Sequence, residues 1–181
     1  MPVAGGGFEQ SYNAQAAVAA GSMLVVAVDV VQATNDKQQL EPMLGKIEAL
    51  PEELGEAETL LADSGYFSAG NVEACEKAGV EPLIAMGRQP HHPPLEERFE
   101  PTAPAPKNPT PVEGMAHRLK TPEGRDLYAL RKQTPEPVFG IIKSVLGFRQ
   151  FSMRGLEKVR GEWSLVTMAW NMKRMFVLNP A

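Results

Sequence analysis

The sequence predicts an α/β fold: a mixed sheet covered by helices, followed by a helical C-terminal part. Three observations carry this. From Tyr12 to Gly87, runs rich in Val, Ala, Leu and Ile alternate with segments of helical apolar spacing, in the order ββ-α-β-α-β. The stretch 90–111 then holds eight of the sixteen prolines, a density at which no regular element is expected to survive. Beyond it, apolar residues recur every three or four positions almost to the end. The regions expected are a sheet-and-helix part over 1–89, a proline-rich loop over 90–111 and a helical part over 112–181 belonging to the same domain. At 181 residues the chain is long enough for one core of ordinary size.

The elements follow in order. "YNAQAAVAAGSMLVVAVDVVQATND" reads as a β-hairpin, two Val/Ala-rich runs separated by the small-residue turn "AAGS". Its second run, "VVAVDVV", is apolar enough for a strand buried on both faces. "NDKQQLEPMLGKIEAL" places Leu40, Met43, Leu44 and Ile47 on one helical face, with Asn35 or Asp36 as N-cap and Pro51 and Gly55 beyond its end. "AETLLAD" is a short strand. "SAGNVEACEKAGV" is a second helix with Ser68 as cap and Gly79 as stop, and "EPLIAMG" is another strand. After the prolines, "VEGMAHRLKTPEGRDLYALRKQ" is helical. In the last segment Leu156, Val159, Trp163, Val166 and Trp170 form an apolar stripe that ends at Lys173 or drifts onto Met172. The two tryptophans are seven apart, as core residues on one face would be.

Composition removes several function classes. No apolar run reaches the ~20 residues of a membrane helix. The start, "MPVAGGGFEQ", has neither the basic flank nor the apolar core of a signal peptide. Cys75 is the only cysteine, which excludes an internal disulfide and a multi-cysteine zinc site; on the helix "VEACEKAG" it reads as core. A cytoplasmic protein is expected, with no membrane partner. His91 and His92 lie among the prolines without a partner at metal-ligand spacing, and His117 reads as surface. The net charge of −4 conceals a polarity: residues 1–112 carry −10 and residues 113–181 carry +6. Such a balance fits nucleic-acid contact through the basic part, and equally two parts that attract each other within one fold.

Two carboxylates stand out. Asp63 closes a strand, ahead of Ser64-Gly65. Strand ends are where α/β folds expose polar side chains to ligands, and a glycine there lets the backbone turn sharply. The plain alternative is an aspartate starting a turn. Glu136 lies in "YALRKQTPEPVFGIIK". Thr134 and Pro135 look like an N-cap and first helical position, so an acid there is favoured by the helix dipole alone. Yet if the helix runs through, Tyr128, Arg131, Glu136, Phe139 and Lys143 share a stripe of roughly 140°. A carboxylate, two cations and a phenol on one face suit a metal and a phosphodiester together. A break near Thr134 would instead put Tyr128 and Arg131 on a separate helix.

These residues carry a resemblance. "LLADSGYFSAGNVEACEKAGVEPLIAMGR" resembles the second-aspartate region of bacterial insertion-sequence DDE transposases, which have an "aDxGY" sequence at a strand end, then a helix and a strand. Tyr128, Arg131, Glu136 and Lys143 resemble the Tyr-Arg-Glu-Lys signature of that group, with one residue more between Arg131 and Glu136 than its usual pattern. "GGGFEQSYNAQAAV" and "RGLEKVRGEWSLVTMAWNMKRM" are similar to further segments, so the likeness covers nearly the whole chain. It implies a ribonuclease-H-like fold and a DNA-recombination function, with two Asp and one Glu holding Mg²⁺ or Mn²⁺ for DNA cleavage and strand transfer. By motif, Asp63 is the second aspartate and Glu136 the glutamate, both catalytic and metal-holding. Tyr128, Arg131 and Lys143 would contact DNA near the cut.

The family's first aspartate precedes the "YNAQ" segment, where this sequence has none; Asp29 and Asp36 are the only aspartates before Asp63. The resemblance therefore implies the C-terminal part of a transposase, lacking the first strand: a remnant, a mis-started frame or a split product. Two functions are expected to compete. One is a transposase catalytic core, inactive alone. The other is a non-catalytic DNA-binding or inhibitory fragment that pairs with an intact transposase or with itself.

Overall fold

A computed structural model describes residues 12–87 and 103–179. His91, His92 and the greater part of the proline-rich stretch lie outside them; from 103 to 110 the chain is irregular, as expected. The described residues form a mixed α/β fold with a helical C-terminal part, consistent with a partial ribonuclease-H-like architecture. They divide into two compact units. One comprises the residues up to Asn35 together with those from Lys132 onward, and the other runs from Asp36 to Arg131. Of the four strands among the described residues, two pair in each unit, one ladder antiparallel and one parallel.

In the first unit, β1 (Asn13–Val18) and β2 (Val25–Val31) form the expected antiparallel hairpin, in register from Asn13 opposite Val31 to Ala17 opposite Ala27, with a one-residue shift that sets Val18 opposite Val25. Two strands alone are marginal in water and need cover. The cover comes from the long C-terminal helix (Leu156–Leu178; α6 in chain order) and from α5 (Pro135–Ser144). Val159, Trp163 and Trp170 of the predicted stripe are buried against Val25, Val30, Val138 and Ile142, with Leu156 and Val166 partly buried beside them. The stripe does not drift onto Met172, which is 55% exposed. Polar side chains take over instead. The Asn171 amide bonds both the N–H and the C=O of Val25, at 2.8 and 2.7 Å, and Arg174 Nε donates to the Ser22 carbonyl at 2.7 Å. β2 is also not buried on both faces: Val25, Ala27 and Val30 are buried and the other four positions only partly, because a two-stranded ladder has no further strand to lean on.

In the second unit, β3 (Thr59–Ala62) and β4 (Glu81–Ile84) are parallel and joined by α2 (Ala69–Lys77), a β-α-β crossover. Ser68 caps α2 through a 3.1 Å bond from the Asn71 N–H, and Gly79 stops it at φ +73°, as read from the sequence. Leu40 and Leu44 of α1 (Leu40–Glu48) pack on Ala62, Val72, Cys75, Val80, Ile84 and Met115. The cap expected at Asn35 or Asp36 is not used. The helix starts later, with Gln39 at the N-cap and no side-chain bond, because 36–39 form a turn closed by Gln39 N–H to Asp36 C=O. The helical run after the prolines splits into α3 (Pro111–Arg118) and α4 (Pro122–Gln133). Thr110 and Glu113 form a reciprocal capping box at the start of α3, legible as T-P-V-E but not anticipated. At the α3–α4 corner, a Cβ on Gly124 would collide with the Arg118 carbonyl, so only glycine fits.

Cys75 is fully buried, and burial pushes its thiol up to about 11, a bond to its own backbone opposing and Glu76 reinforcing. The thiolate is the reactive form. A chromogenic disulfide reagent at pH 8 should therefore modify Cys75 only as the chain unfolds, in step with loss of circular dichroism. Fast stoichiometric labelling under native conditions would contradict this burial.

Candidate functional site

The second unit gathers three of the predicted site residues at one strand end. Asp63 follows β3 directly in extended conformation, φ −81° and ψ 177°, and is exposed. Its carboxylate accepts the Gly65 N–H at 2.9 Å, which caps the 3₁₀ turn Ser64–Tyr66 and fixes the side chain. The turn-starting role and exposure at a strand end are thus both met in one residue. Gly65 is not left-handed. Its value lies in the missing side chain, since a Cβ there would stand 3.0 Å from Asp63 Oδ1 and 3.3 Å from Asp36 Oδ2. Asp36, read from the sequence only as a helix start, therefore brings a second carboxylate to the same glycine.

Tyr128 and Arg131, on α4, face this strand end. The Tyr128 hydroxyl donates to the carbonyl of Ala62, the residue before Asp63, at 3.2 Å. The Arg131 guanidinium carbon lies 5.6 Å from the centre of the Tyr128 ring, a cation–π distance. Burial pushes the tyrosine hydroxyl above its ordinary value. The charge and hydrogen bond of Arg131 oppose this, the charge of Asp63 reinforces it, and the Ala85 backbone opposes it. Tyr128 is therefore a neutral donor at working pH, not a base. Its hydroxyl is committed to the backbone that carries Asp63.

Glu136 and Lys143 belong to the first unit, on α5, and both are exposed. The helix does not run through. α4 ends at Gln133 and α5 starts at Pro135, with buried Thr134 between them at φ −117°, ψ −76°. Pro135 and Pro137 have no N–H to donate to the preceding turn, which accounts for the break. Tyr128 and Arg131 thus lie on a separate helix from Glu136, Phe139 and Lys143. Thr134 is the N-cap residue as expected, though it makes no side-chain capping bond. Glu136 in the first turn and Lys143 in the last both complement the helix dipole. Phe139 stacks on Trp163, ring centres 5.6 Å apart, and so serves the core.

The remaining candidates settle as structural. Asp29 Oδ1 accepts Arg160 Nε at 2.9 Å with 14% of its side chain exposed, tying β2 to α6. Both tryptophans are buried, their indole N–H groups donating to Gln15 and Met23 carbonyls at 2.9 Å, which leaves neither for base stacking. His117 Nε2 lies 2.8 Å from the Ala103 carbonyl. Among the described residues no group of three or more His, Cys, Asp or Glu is placed to hold a metal ion. Asp63 nonetheless offers hard oxygen donors at an exposed strand end, the ligand type that Mg²⁺ and Mn²⁺ prefer. No helix among the described residues is long and apolar enough to cross a membrane.

A family model, the transposase DDE domain, matches residues 3–172, and the chain belongs to that family. No significant match exists among curated proteins or among solved structures.

The Tyr128 bond to Ala62 has a measurable consequence. Tyr128→Phe keeps the ring and removes the donor, leaving a strand-end carbonyl short of a partner. It should lower unfolding free energy by about 0.5–1.5 kcal/mol in urea titration. No change would mean that water replaces the hydroxyl.

Proposed function

We propose that the chain carries the phosphodiester chemistry of a DDE transposase of insertion-sequence type, with Asp63 and Glu136 as the metal-holding carboxylates. The observation that carries this is the exposed Asp63 carboxylate at the end of β3, with Tyr128 and Arg131 gathered at the same strand end, in a chain of this family. Mg²⁺ or Mn²⁺, when bound, would activate the attacking oxygen and stabilise the leaving one in an in-line displacement. The residues of the chain do the rest. The Gly65 N–H fixes the Asp63 rotamer, and Tyr128 holds the backbone of that strand end. Arg131 and Lys143 supply positive charge for the DNA backbone, with Tyr128 steadying Arg131.

A second reading has its own observation. The site expected of the family needs a further aspartate, and Asp29 is engaged by Arg160 rather than available for one. The 181-residue chain on its own then binds DNA without cutting it, acting on an intact transposase or on a second copy.

The readings are tested in a nicking assay with supercoiled plasmid and Mg²⁺ or Mn²⁺. The purified chain alone should leave the plasmid intact, since the first reading too has a core that is inactive alone. Cleavage that vanishes in both Asp63→Ala and Glu136→Ala would overturn the second reading and show that another residue of the chain completes the metal site.

Both readings require DNA contact. Fluorescence anisotropy with a labelled duplex should give nonspecific binding at about 10⁻⁴–10⁻⁶ M near physiological salt, weakening with log salt at a slope of about −0.9 per phosphate neutralised. Arg131→Ala and Lys143→Ala should each flatten that slope by about one unit. A slope that neither variant moves would leave both as ordinary surface charge.

A further inference from the structure

Between α5 and α6 lies a segment, 147–155, that has no regular structure and yet is held at several points. Gly147 and Gly155 bound it, at φ +74° and +91°, conformations that residues with a Cβ rarely adopt. Inside it, Phe148 and Phe151 contact each other edge to face at 5.3 Å and both reach the buried Trp163 ring, at 6.1 and 6.5 Å. Phe151 also meets Tyr12 edge-on at 5.9 Å, and the Tyr12 hydroxyl accepts the Gly155 N–H at 2.9 Å. The Glu162 carboxylate, in the second turn of α6, completes the hold. It accepts the Ser152 N–H at 2.8 Å on one oxygen and 3.1 Å on the other, and the Met153 N–H at 3.1 Å. Burial raises this carboxyl, but the bonds from the Ser152 and Met153 backbone and the Ser152 side chain outweigh it and leave the group below its ordinary value.

Surface loops are usually mobile, so this degree of anchoring needs a reason. The aromatic rings turn inward, and the exposed positions are Arg149, Gln150, Ser152, Met153 and Arg154. They include two cations and no acid. Lys158 is exposed on the first turn of α6. The nearby acids are already occupied: Glu162 by the loop amides, and Glu157 by Arg160 at 3.3 Å. None of the ion pairs among the described residues involves Arg149, Arg154 or Lys158. A negative side chain is thus turned onto backbone N–H groups, while the arginines stay outward and unneutralised. Holding a loop in one conformation before binding reduces the ordering cost of the bound state.

We propose that 147–155 is a preformed DNA-backbone-binding loop, with Arg149 and Arg154 as its phosphate contacts and Glu162 as the positioning residue that holds it. This rests on the DNA-binding reading above and adds to it an element separate from Arg131 and Lys143. Bidentate guanidinium–phosphate contacts suit such a surface.

The test uses the whole chain and a labelled duplex across a salt series. Arg149→Ala and Arg154→Ala should each flatten the salt slope by about one unit. Glu162→Gln discriminates by sign. If Glu162 acted only as a negative charge near DNA, removing it would tighten binding. As the clamp of the loop, its loss should weaken binding roughly three- to tenfold, the scale of freeing a few side chains and the backbone they hold. In an Arg149→Ala/Arg154→Ala background the same change should have no further effect, whereas general destabilisation would weaken binding in both backgrounds. Thermal unfolding of each variant keeps folding and binding apart. Tighter binding by Glu162→Gln, or a slope unmoved by both arginine variants, overturns the loop assignment while leaving the DNA-binding reading intact. Absence of any binding at low salt overturns that reading and the loop with it.

Discussion

The first unit depends on the docking of one helix against one hairpin. The strands of "NAQAAV" and "VVAVDVV" are short and carry small side chains, so their own ladder buries little. The C-terminal helix supplies what is missing in two ways at once. Val159, Trp163 and Trp170 bury large apolar surfaces, worth about 3–5 kcal/mol for a tryptophan judged by truncation. The same face then uses its polar atoms on the hairpin backbone. Arg160 reaches the Val30 carbonyl, Trp163 that of Gln15, Trp170 that of Met23, Asn171 both groups of Val25, and Arg174 that of Ser22. Side chains along one side of the helix thus satisfy carbonyls that the hairpin would otherwise leave to water. The 147–155 loop inherits its position from this docking, since Phe148, Phe151 and Glu162 all anchor to the same helix.

In the second unit the β-α-β crossover has the corresponding role. A crossover between parallel strands brings their C-terminal ends to the same edge, and the residue leaving β3 is Asp63. Three contacts then serve its placement: the Gly65 N–H on the carboxylate, the Tyr128 hydroxyl on the preceding carbonyl, and Arg131 over the tyrosine ring. None of these contacts needs Asp63 to be catalytic, since an Asx-type turn would use the first of them. What a turn does not require is a half-buried tyrosine and a cation brought to the same point from 66 positions along the chain.

How much of this was legible in the sequence divides along physical lines. Local signals transferred well: the hairpin, Ser68 and Gly79 bounding α2, the strand ends and the tryptophan stripe all depend on residues close in sequence. So did the family resemblance, because it rests on motifs. Side-chain partnerships across the chain did not transfer. Asp29 could not be paired with Arg160, nor Glu162 with the loop amides, without knowing which faces meet. Asn171 and Arg174 were passed over because the apolar rhythm had run out, although a polar residue continuing a buried face is itself a signal of backbone pairing. The break at Thr134 was left open by periodicity, and the two prolines decide it. At Asp36 the sequence shows a cap signature, and its closeness to Gly65 is revealed only by the fold.

The charge polarity of the sequence had two explanations, and the structure divides the basic residues between them. Arg118 pairs with Glu76 and Glu81, and Arg160 with Asp29, so part of the positive C-terminal portion is spent on acids of the negative N-terminal one. Such partly exposed pairs stabilise by no more than about 1 kcal/mol each, so their use is mainly to set register. Arg149, Arg154, Lys158 and Lys143 have no ion pair among the described residues and stay exposed. Attraction between the two portions therefore accounts for Arg118 and Arg160, and it leaves over the cations on and around the loop. Net charge at a distance is −4 for the whole chain, but screening confines it to roughly 8–10 Å. Within that range a polyanion meets the local charge and not the total. The residues left unneutralised by the fold, rather than the overall balance, decide which surface a phosphate backbone would find.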